Sequence, residues 1–222
     1  SRDELLGFWR WQGVATPPQV DVLHLGADWR GVSRSNTPSE KPTGPKKIVS
    51  IGILEPRKNQ SVLLDAYEVL RLEGLEFELH LVGRVNPHFG APIEQRVAQM
   101  AARWPGLHHH ADMDDSALAA LVRSARATAF ASLAEGCGLP LLESLWMGVP
   151  CICSDIPSLV ENAAGGGCLV VPGNNLAGWV EALRKLVTDD SSRMRLAVEA
   201  YGRQLPTWAN ATRTIGKALG QM

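Results

Sequence analysis

The chain has 222 residues, of which 22 are Lys or Arg and 23 are Asp or Glu, so its formal net charge is −1. This near balance offers no basic field for nucleic acid or for an anionic membrane. No apolar run approaches the roughly 20 residues that span a bilayer, and the length suits one large domain with a good core.

The first part of the chain predicts elements that lie outside a regular pattern. Residues 3–11 predict a short amphipathic helix, and residues 20–26 predict a strand. Residues 33–46 are polar and rich in proline, which is typical of a linker. The chain begins at Ser1 rather than at a methionine, so we expect an excised fragment of a longer protein.

Beyond residue 46, apolar strands alternate with amphipathic helices. Strands are predicted near residues 47–54, 76–82, 107–110, 127–131, 149–153 and 168–171. Helices are predicted near residues 60–73, 92–103, 116–125, 140–147 and 175–187, with two more helices on either side of Pro206. This alternation predicts an α/β fold, a Rossmann-like parallel sheet with helices on both faces. Ligands bind such sheets at the carboxyl ends of the strands.

The first strand of this series ends in a loop that carries two cations. Gly52 follows the strand, and Arg57 and Lys58 come next in a turn that also holds Pro56. An exposed loop lysine with no ligand is the plain alternative for Lys58, and a surface role is equally open for Arg57. No Gly-x-Gly-x-x-Gly follows the strand, which disfavours a NAD-dependent dehydrogenase.

The loop after the fourth strand carries the most informative pattern, two glutamates separated by seven residues. Glu135 lies in a glycine loop, and Glu143 is predicted on the first turn of the helix that Pro140 opens. A strand, a glycine loop and a helix start together point backbone N–H groups at an anion. Carboxylates beside a phosphate would repel it, so they must accept hydrogen bonds from hydroxyl groups. The residues therefore indicate a sugar joined to a nucleoside diphosphate.

The histidine and cysteine residues do not indicate a metal centre. Adjacent residues of a strand point to opposite faces, so the run from His108 to His110 is not expected to converge on one ion. Cys151 and Cys153 lie two residues apart on one face of a predicted strand, and a disulfide between them is implausible there. Unpaired cysteines are typical of a reducing compartment, so we expect the protein to be cytosolic. We therefore predict no metal site.

Several blocks together resemble the retaining glycosyltransferases of family 4, which have the GT-B fold. Residues 48–59 resemble the first strand and phosphate loop of the family's carboxy-terminal domain, and residues 77–83 resemble its second strand. Residues 112–118 resemble the base-side loop, and residues 143–152 resemble the central helix and the next strand. The resemblance spans roughly residues 46–188. Ile53 is a departure, since the family often has an arginine directly after the strand glycine.

The resemblance implies roles for particular residues. Lys58 and Glu135 would be catalytic, with Lys58 on the donor diphosphate and Glu135 on the sugar hydroxyls. Glu143 would bind the ribose hydroxyls. The remaining donor-binding residues implied are Gly52, Arg57, Asp112, Met113, Gly136, Cys137, Gly138 and Leu139. Cys137 stands where many members have an aromatic residue, and it is predicted to pack rather than to attack, because no histidine is placed to activate it.

The resemblance also implies a division of the chain. Residues 1–32 would be a remnant of the amino-terminal acceptor domain, 33–46 the linker, and 47–188 the nucleotide-sugar-binding domain. Residues 189–222 would be helices that pack back on it. The partners implied are a nucleotide-sugar donor and the missing acceptor domain, with no nucleic acid, and any contact with the cytoplasmic face of a membrane is left to that missing domain.

The implied function is transfer of a hexose such as mannose to a glycan or lipid-linked acceptor, as in polysaccharide biosynthesis, without a cofactor or a divalent metal. Two alternatives stay open: a non-catalytic nucleotide-sugar-binding or interaction module, and a GT-B phosphorylase or epimerase.

Overall fold

In the computed structural model, which describes residues 2–29, 31–34 and 44–220, a six-stranded parallel sheet organises the chain. The strands are β1 (Lys47–Ile51), β2 (Glu78–Val82), β3 (Leu107–His110), β4 (Ala127–Phe130), β5 (Cys151–Ser154) and β6 (Cys168–Val171). Their order across the sheet is β3-β2-β1-β4-β5-β6, and each neighbouring pair is parallel. The predicted α/β class and Rossmann-like sheet are confirmed.

Helices supply the crossovers that parallel strands require. They are α1 (Arg2–Trp11), α2 (Gln60–Leu72), α3 (Ala91–Arg103), α4 (Asp115–Arg123), α5 (Leu139–Trp146), α6 (Pro157–Ala163), α7 (Leu176–Thr188), α8 (Asp190–Gly202) and α9 (Trp208–Gly220). A 3-10 turn over Pro56–Lys58 leads from β1 into α2. Helices α2 to α6 each connect one strand to the next in the chain.

The core lies on both faces of the sheet because neighbouring residues of a strand point to opposite sides. In β1, Ile48 joins buried residues of α2, α3 and α7, whereas Val49 joins buried residues of α4. Strands β4 and β5 are buried along their whole length, which accounts for their nearly continuous apolar sequences.

Two sequence predictions differ from the structure. Residues 20–26 form no strand, because a strand needs a hydrogen-bonded neighbour and none of the described residues pairs with them. Residues 157–163 form α6, a helix that is not among those predicted from the sequence. This helix has seven residues, too few to show a periodic apolar pattern, although Pro157 at its start is a typical opening residue.

The described chain divides into two compact units. Residues 27–205 form one of them, and residues 2–26 with 206–220 form the other. In the larger unit, the Val32 carbonyl accepts a hydrogen bond from Trp146 Nε1 at 3.1 Å, and Arg34 donates to the Tyr201 carbonyl at 2.9 Å. In the smaller unit, α1 exposes Phe8 and Trp11. Most of the predicted linker, residues 35–43, lies outside the described residues.

None of the helices within the described ranges is long and apolar enough to cross a bilayer.

Candidate functional site

The candidate site lies where the sheet reverses its order. Strands β1 and β4 are neighbours, but the chain leaves β1 toward β2 on one side and leaves β4 toward β5 on the other. The loops that follow the two strands therefore separate and leave a crevice at their carboxyl ends, the usual ligand position in a doubly wound sheet. The loop after β1 carries Lys58, and the loop after β4 carries Glu135.

Lys58 and Glu135 meet across this crevice. Lys58 Nζ lies 2.5 Å from Glu135 Oε1, and Ser132 Oγ donates to the same oxygen at 2.7 Å. The lysine stem passes over Gly52, since a Cβ added there would lie 3.4 Å from the Lys58 side chain. Both charged side chains are mostly buried, with 15% and 14% exposed. The structure thus brings three of the predicted residues, Gly52, Lys58 and Glu135, into one contact group.

Arg57 braces the two loops rather than pointing away from them. Its guanidinium donates to the Ala134 carbonyl at 2.9 Å and to Glu55 Oε1 at 2.6 Å. Glu135 Oε2 lies 3.5 Å from the same guanidinium. Asn86 donates to the other oxygen of Glu55 at 2.8 Å, so the loop after β2 joins the network. Arg57 therefore supplies a second cation next to Glu135.

The glycine loop after β4 turns sharply into α5. Gly138 precedes the helix with φ +70°, a backbone conformation that L side chains rarely adopt, and a Cβ there would lie 2.5 Å from Leu159. No side chain caps the helix start at Gly138. Pro140 has no N–H, and the Leu141 N–H donates to the Gly138 carbonyl at 3.1 Å. Among the described residues, the Leu139 N–H has no backbone acceptor, so this N–H is available to an anion.

Residues of α6 hold this glycine loop in place. Ser158 Oγ donates to the Glu135 carbonyl at 3.1 Å, and Asn162 Nδ2 donates to the Cys137 carbonyl at 2.6 Å. Burial raises the pKa of the Cys137 thiol, with Glu161 and Glu135 adding to the effect. A thiol with a raised pKa is a poor nucleophile, which agrees with a packing role.

Glu143 lies in a different environment from Glu135. It is the fifth residue of α5, one position beyond the first turn that we predicted. Among the described residues, none forms a hydrogen bond or an ion pair with its half-buried carboxylate. Burial raises the pKa of this carboxyl group, and the negative charge of Asp115 raises it further. A half-buried carboxylate without a protein partner has capacity for ligand hydroxyl groups.

The start of α4 is close enough to Glu143 for the charge of Asp115 to raise the pKa of that carboxyl group. Asp112 is exposed, and Met113 packs against the buried cluster that includes Met147. Asp114 caps α4 by accepting a hydrogen bond from the Ala117 N–H at 2.8 Å. Asp114 can take this capping role because it has the extended backbone that a cap requires.

Sequence reasoning missed the side chains that fasten the loops. Asn59 is the clearest case, since its Nδ2 donates to the Ala131 carbonyl at 3.2 Å and to the Gly173 carbonyl at 3.0 Å. It adopts φ +52°, in the left-handed region that asparagine tolerates. An asparagine between a 3-10 turn and a helix was a usable signal. Its distant carbonyl partners were not visible in the sequence.

Comparisons with known proteins agree with this architecture. The model of the family described as glycosyl transferases group 1 matches residues 33–203. O-antigen chain mannosyltransferase B of Escherichia coli is 29% identical over 163 residues, which cover 73% of this chain and 42% of that protein. The MMP alpha-(1->4)-mannosyltransferase of Mycolicibacterium hassiacum is 30% identical over 200 residues, which cover 86% and 47%. The chain thus spans less than half the length of both relatives.

Solved structures share the fold at low sequence identity. Sucrose-phosphate synthase from Thermosynechococcus elongatus superimposes with a TM-score of 0.71 at 21% identity, covering 81% of this chain and 46% of that one. HepE from Anabaena, solved in complex with UDP and glucose, superimposes with a TM-score of 0.69 at 17% identity, covering 80% and 49%. At these identities the likeness shows the fold alone.

Proposed function

Because this chain belongs to the family of glycosyl transferases group 1, we propose that it is the donor-binding half of a retaining glycosyltransferase. It binds a nucleoside-diphosphate hexose, and the intact enzyme transfers the hexose to a glycan or lipid-linked acceptor. The observation that carries the proposal is the contact between Lys58 and Glu135 across the β1–β4 crevice, beside the uncapped start of α5.

The diphosphate group fits the positive side of this crevice. Lys58 has three N–H donors, and Glu135 accepts one of them, so two can reach phosphate oxygens. The Leu139 N–H adds the partial positive charge of the start of α5. When the bond from the anomeric carbon to the diphosphate breaks, negative charge grows on the leaving phosphate. A fixed ammonium group and fixed amides stabilise that charge in a water-poor cleft.

The sugar fits the Glu135 side. Oε1 is occupied by Lys58 and Ser132, while Oε2 has Arg57 only at 3.5 Å. Oε2 therefore has capacity to accept hydrogen bonds from sugar hydroxyls and to orient the ring. In this arrangement Glu135 is a positioning group rather than the nucleophile, since its charge already balances Lys58. Retention then follows from attack on the same face of the sugar, assisted by the leaving phosphate.

The nucleoside fits the Glu143 side. Its half-buried carboxylate can accept both ribose hydroxyls, and charge-assisted hydrogen bonds would offset the cost of burying the charge. Asp112 and Met113, in the loop before α4, would border the base. A mannose donor is the first choice to test, because two of the similar proteins are named mannosyltransferases.

A thermal-shift panel tests the proposal directly. The chain is melted with UDP-, GDP- and ADP-sugars, each with and without EDTA, since a ligand that binds the native state raises the melting temperature. We expect one donor class to raise it, and we expect the same rise in EDTA, because Lys58 and the helix start do the work of a divalent metal. No shift with any donor, or a shift that disappears in EDTA, contradicts the proposed site. Lys58→Ala is the matched variant that should lose the shift.

A further inference from the structure

A second cluster of titratable side chains lies away from the crevice, between β2 and the edge strand β3. The strands are paired so that His80 lies beside His108 and Val82 lies beside His110. Because side chains alternate along a strand, Glu78 and His80 of β2 share one face of the sheet with His108 and His110 of β3. Val82 lies on the same face and belongs to the buried cluster that includes residues of α4. Nothing in the donor-binding proposal uses these four residues.

The cluster is closely packed. His80 Nε2 lies 3.0 Å from Glu78 Oε2, and His80 Nδ1 lies 3.0 Å from His110 Nε2. The His80 and His108 rings stack with centroids 4.6 Å apart. One possible ligand atom from each of Glu78, His80 and His108 falls within 4.8 Å of the other two. No other group of three such side chains converges in this way within the described ranges.

This donor set suits a divalent transition-metal ion. Zinc prefers imidazole nitrogen and carboxylate oxygen, and three protein ligands leave one position for water. Zn–N and Zn–O distances of about 2.0–2.2 Å place tetrahedral ligands roughly 3.4 Å apart. The ligand atoms therefore have to approach one another by about 1.4 Å at most. Glu78 and His108 are only partly buried, so their side chains have room to rotate. An ion between His80 and Glu78 would replace the proton that these two groups now share.

The remaining histidines differ in what they can do. If His80 binds an ion through Nε2, its Nδ1–H can donate to His110 Nε2, the kind of hydrogen bond that orients metal-bound histidines. His109 lies between His108 and His110 in the chain but points to the other face, where its Nε2 lies 2.9 Å from the Gly83 carbonyl. His109 therefore offers a matched control position, a neighbouring histidine that cannot reach the proposed ion.

We propose that Glu78, His80 and His108 form a zinc-class metal site, with His110 orienting His80. The ion would join β2 to β3, which is an edge strand of the sheet that the described residues form. The proposal does not depend on the glycosyltransferase assignment.

Zinc titration of the protein, purified without a histidine tag, tests the proposal. Zinc is competed against a chelating dye, and cobalt is added separately, because a four-coordinate cobalt site gives a distinctive visible spectrum. We expect one zinc per chain and a rise in melting temperature. Glu78→Gln and His108→Gln should abolish stoichiometric binding, and His110→Gln should weaken it by about 10- to 100-fold.

The control is His109→Gln, which makes the same substitution one residue away on the opposite face. It should leave the zinc affinity and the cobalt spectrum unchanged. Melting each variant without metal first confirms that it folds, and Glu78 and His108 are only partly buried, so their substitution disturbs the core little. The proposal is overturned if wild type shows no saturable one-to-one binding, or if His109→Gln weakens zinc as much as His108→Gln.

Discussion

Among individual side chains, Glu135 and Glu143 show how two like residues acquire different properties. They lie on one loop and helix, yet Glu135 is neutralised by Lys58 and Arg57, whereas Glu143 has no partner among the described residues and a raised pKa. An ion-paired carboxylate is already stabilised, and a half-buried unpaired one is not. This asymmetry suggests distinct ligands for the two groups.

Replacing each glutamate with glutamine should separate their roles. Glu143→Gln removes the charge proposed to bind ribose, and loss of charge-assisted hydrogen bonds costs about 1.5–3 kcal/mol, so affinity for the bare nucleoside diphosphate should fall about tenfold or more. Glu135→Gln should leave that affinity nearly intact, while weakening the full donor and, in the intact enzyme, depressing turnover. Calorimetric titration with both ligands measures this. Equal loss of bare diphosphate binding in both variants would show that the roles are wrongly assigned.

Glu143 should also affect stability in a pH-dependent way. Its pKa is raised in the folded chain, so between the unfolded and folded pKa values the native state holds more protons, and the free energy of unfolding falls as the pH rises. Glu143→Gln removes this loss. The variant should match wild type below the unfolded glutamate pKa and exceed its stability above the raised pKa, as measured by urea unfolding across that range. A stability difference that shrinks with rising pH would contradict this.

The glycines on either side of Cys137 should respond differently to alanine. A Cβ on Gly138 meets Leu159 and a strained φ, so Gly138→Ala should lower the melting temperature markedly. A Cβ on Gly136 meets nothing within 4 Å, so Gly136→Ala should fold normally. The same methyl group would obstruct a ligand drawn close to the backbone, so donor affinity should fall without a change in stability. Normal donor binding by Gly136→Ala would place the ligand elsewhere.

Among helices and loops, the crevice is held by bonds between segments that are distant in the chain. Asn59, at the start of α2, bonds carbonyls in the loops after β4 and β6, and Arg57 bonds the loop after β4. Loops normally have few such ties and are the most mobile parts of a fold. These ties favour a site that is formed before the ligand binds, which lowers the entropy cost of binding.

Substitution of Asn59 tests whether its amide bonds matter apart from its backbone conformation. Asn59→Gly keeps the left-handed φ but leaves the carbonyls of Ala131 and Gly173 without this donor, and both residues are buried. We expect a loss of about 1–3 kcal/mol in the free energy of unfolding. Asn59→Ala should lose more, because it adds strain at the same φ. Chemical denaturation of both variants gives the comparison, and equal stability of Asn59→Gly and wild type would refute the role.

For the molecule as a whole, the chain spans less than half the length of the two mannosyltransferases reported above. The residues proposed to bind the donor all lie in the unit of residues 27–205. Transfer requires the acceptor and the donor to be held in a reactive geometry, usually by a second domain that closes over the donor. The smaller unit, with its exposed aromatic residues on α1, contains none of the residues assigned to the donor.

The 222-residue chain should therefore bind a nucleotide sugar weakly and transfer almost nothing. Binding is measured by calorimetry, and transfer by release of nucleoside diphosphate in the presence of candidate glycan acceptors. The control is Lys58→Ala, which should lose donor binding as well. Any nucleoside diphosphate released in its presence does not come from donor bound at the proposed site. Robust multiple-turnover transfer by the chain alone would contradict this prediction.

The sequence by itself determined the α/β class, the six strands to within a few residues, and the positions of both glutamates relative to the glycine loop and helix. These features depend on local apolar periodicity and on the positions of glycine and proline, all of which are properties of the sequence itself. The prediction from sequence was wrong for residues 20–26, whose apolar pattern resembles a strand although no strand forms. It also missed α6, which is too short to show a helical apolar pattern.

Only the tertiary structure decided which side chains meet. Lys58 and Glu135 are 77 positions apart, and His80 and His110 are 30 apart. Such contacts depend on the order of the strands and on their register, and a shift of one residue would turn each side chain to the opposite face. From the sequence, the three consecutive histidines from His108 to His110 were not expected to bind one metal ion together. The pairing of β3 with β2 placed Glu78 and His80 beside it, because register is set by the packing of the whole sheet.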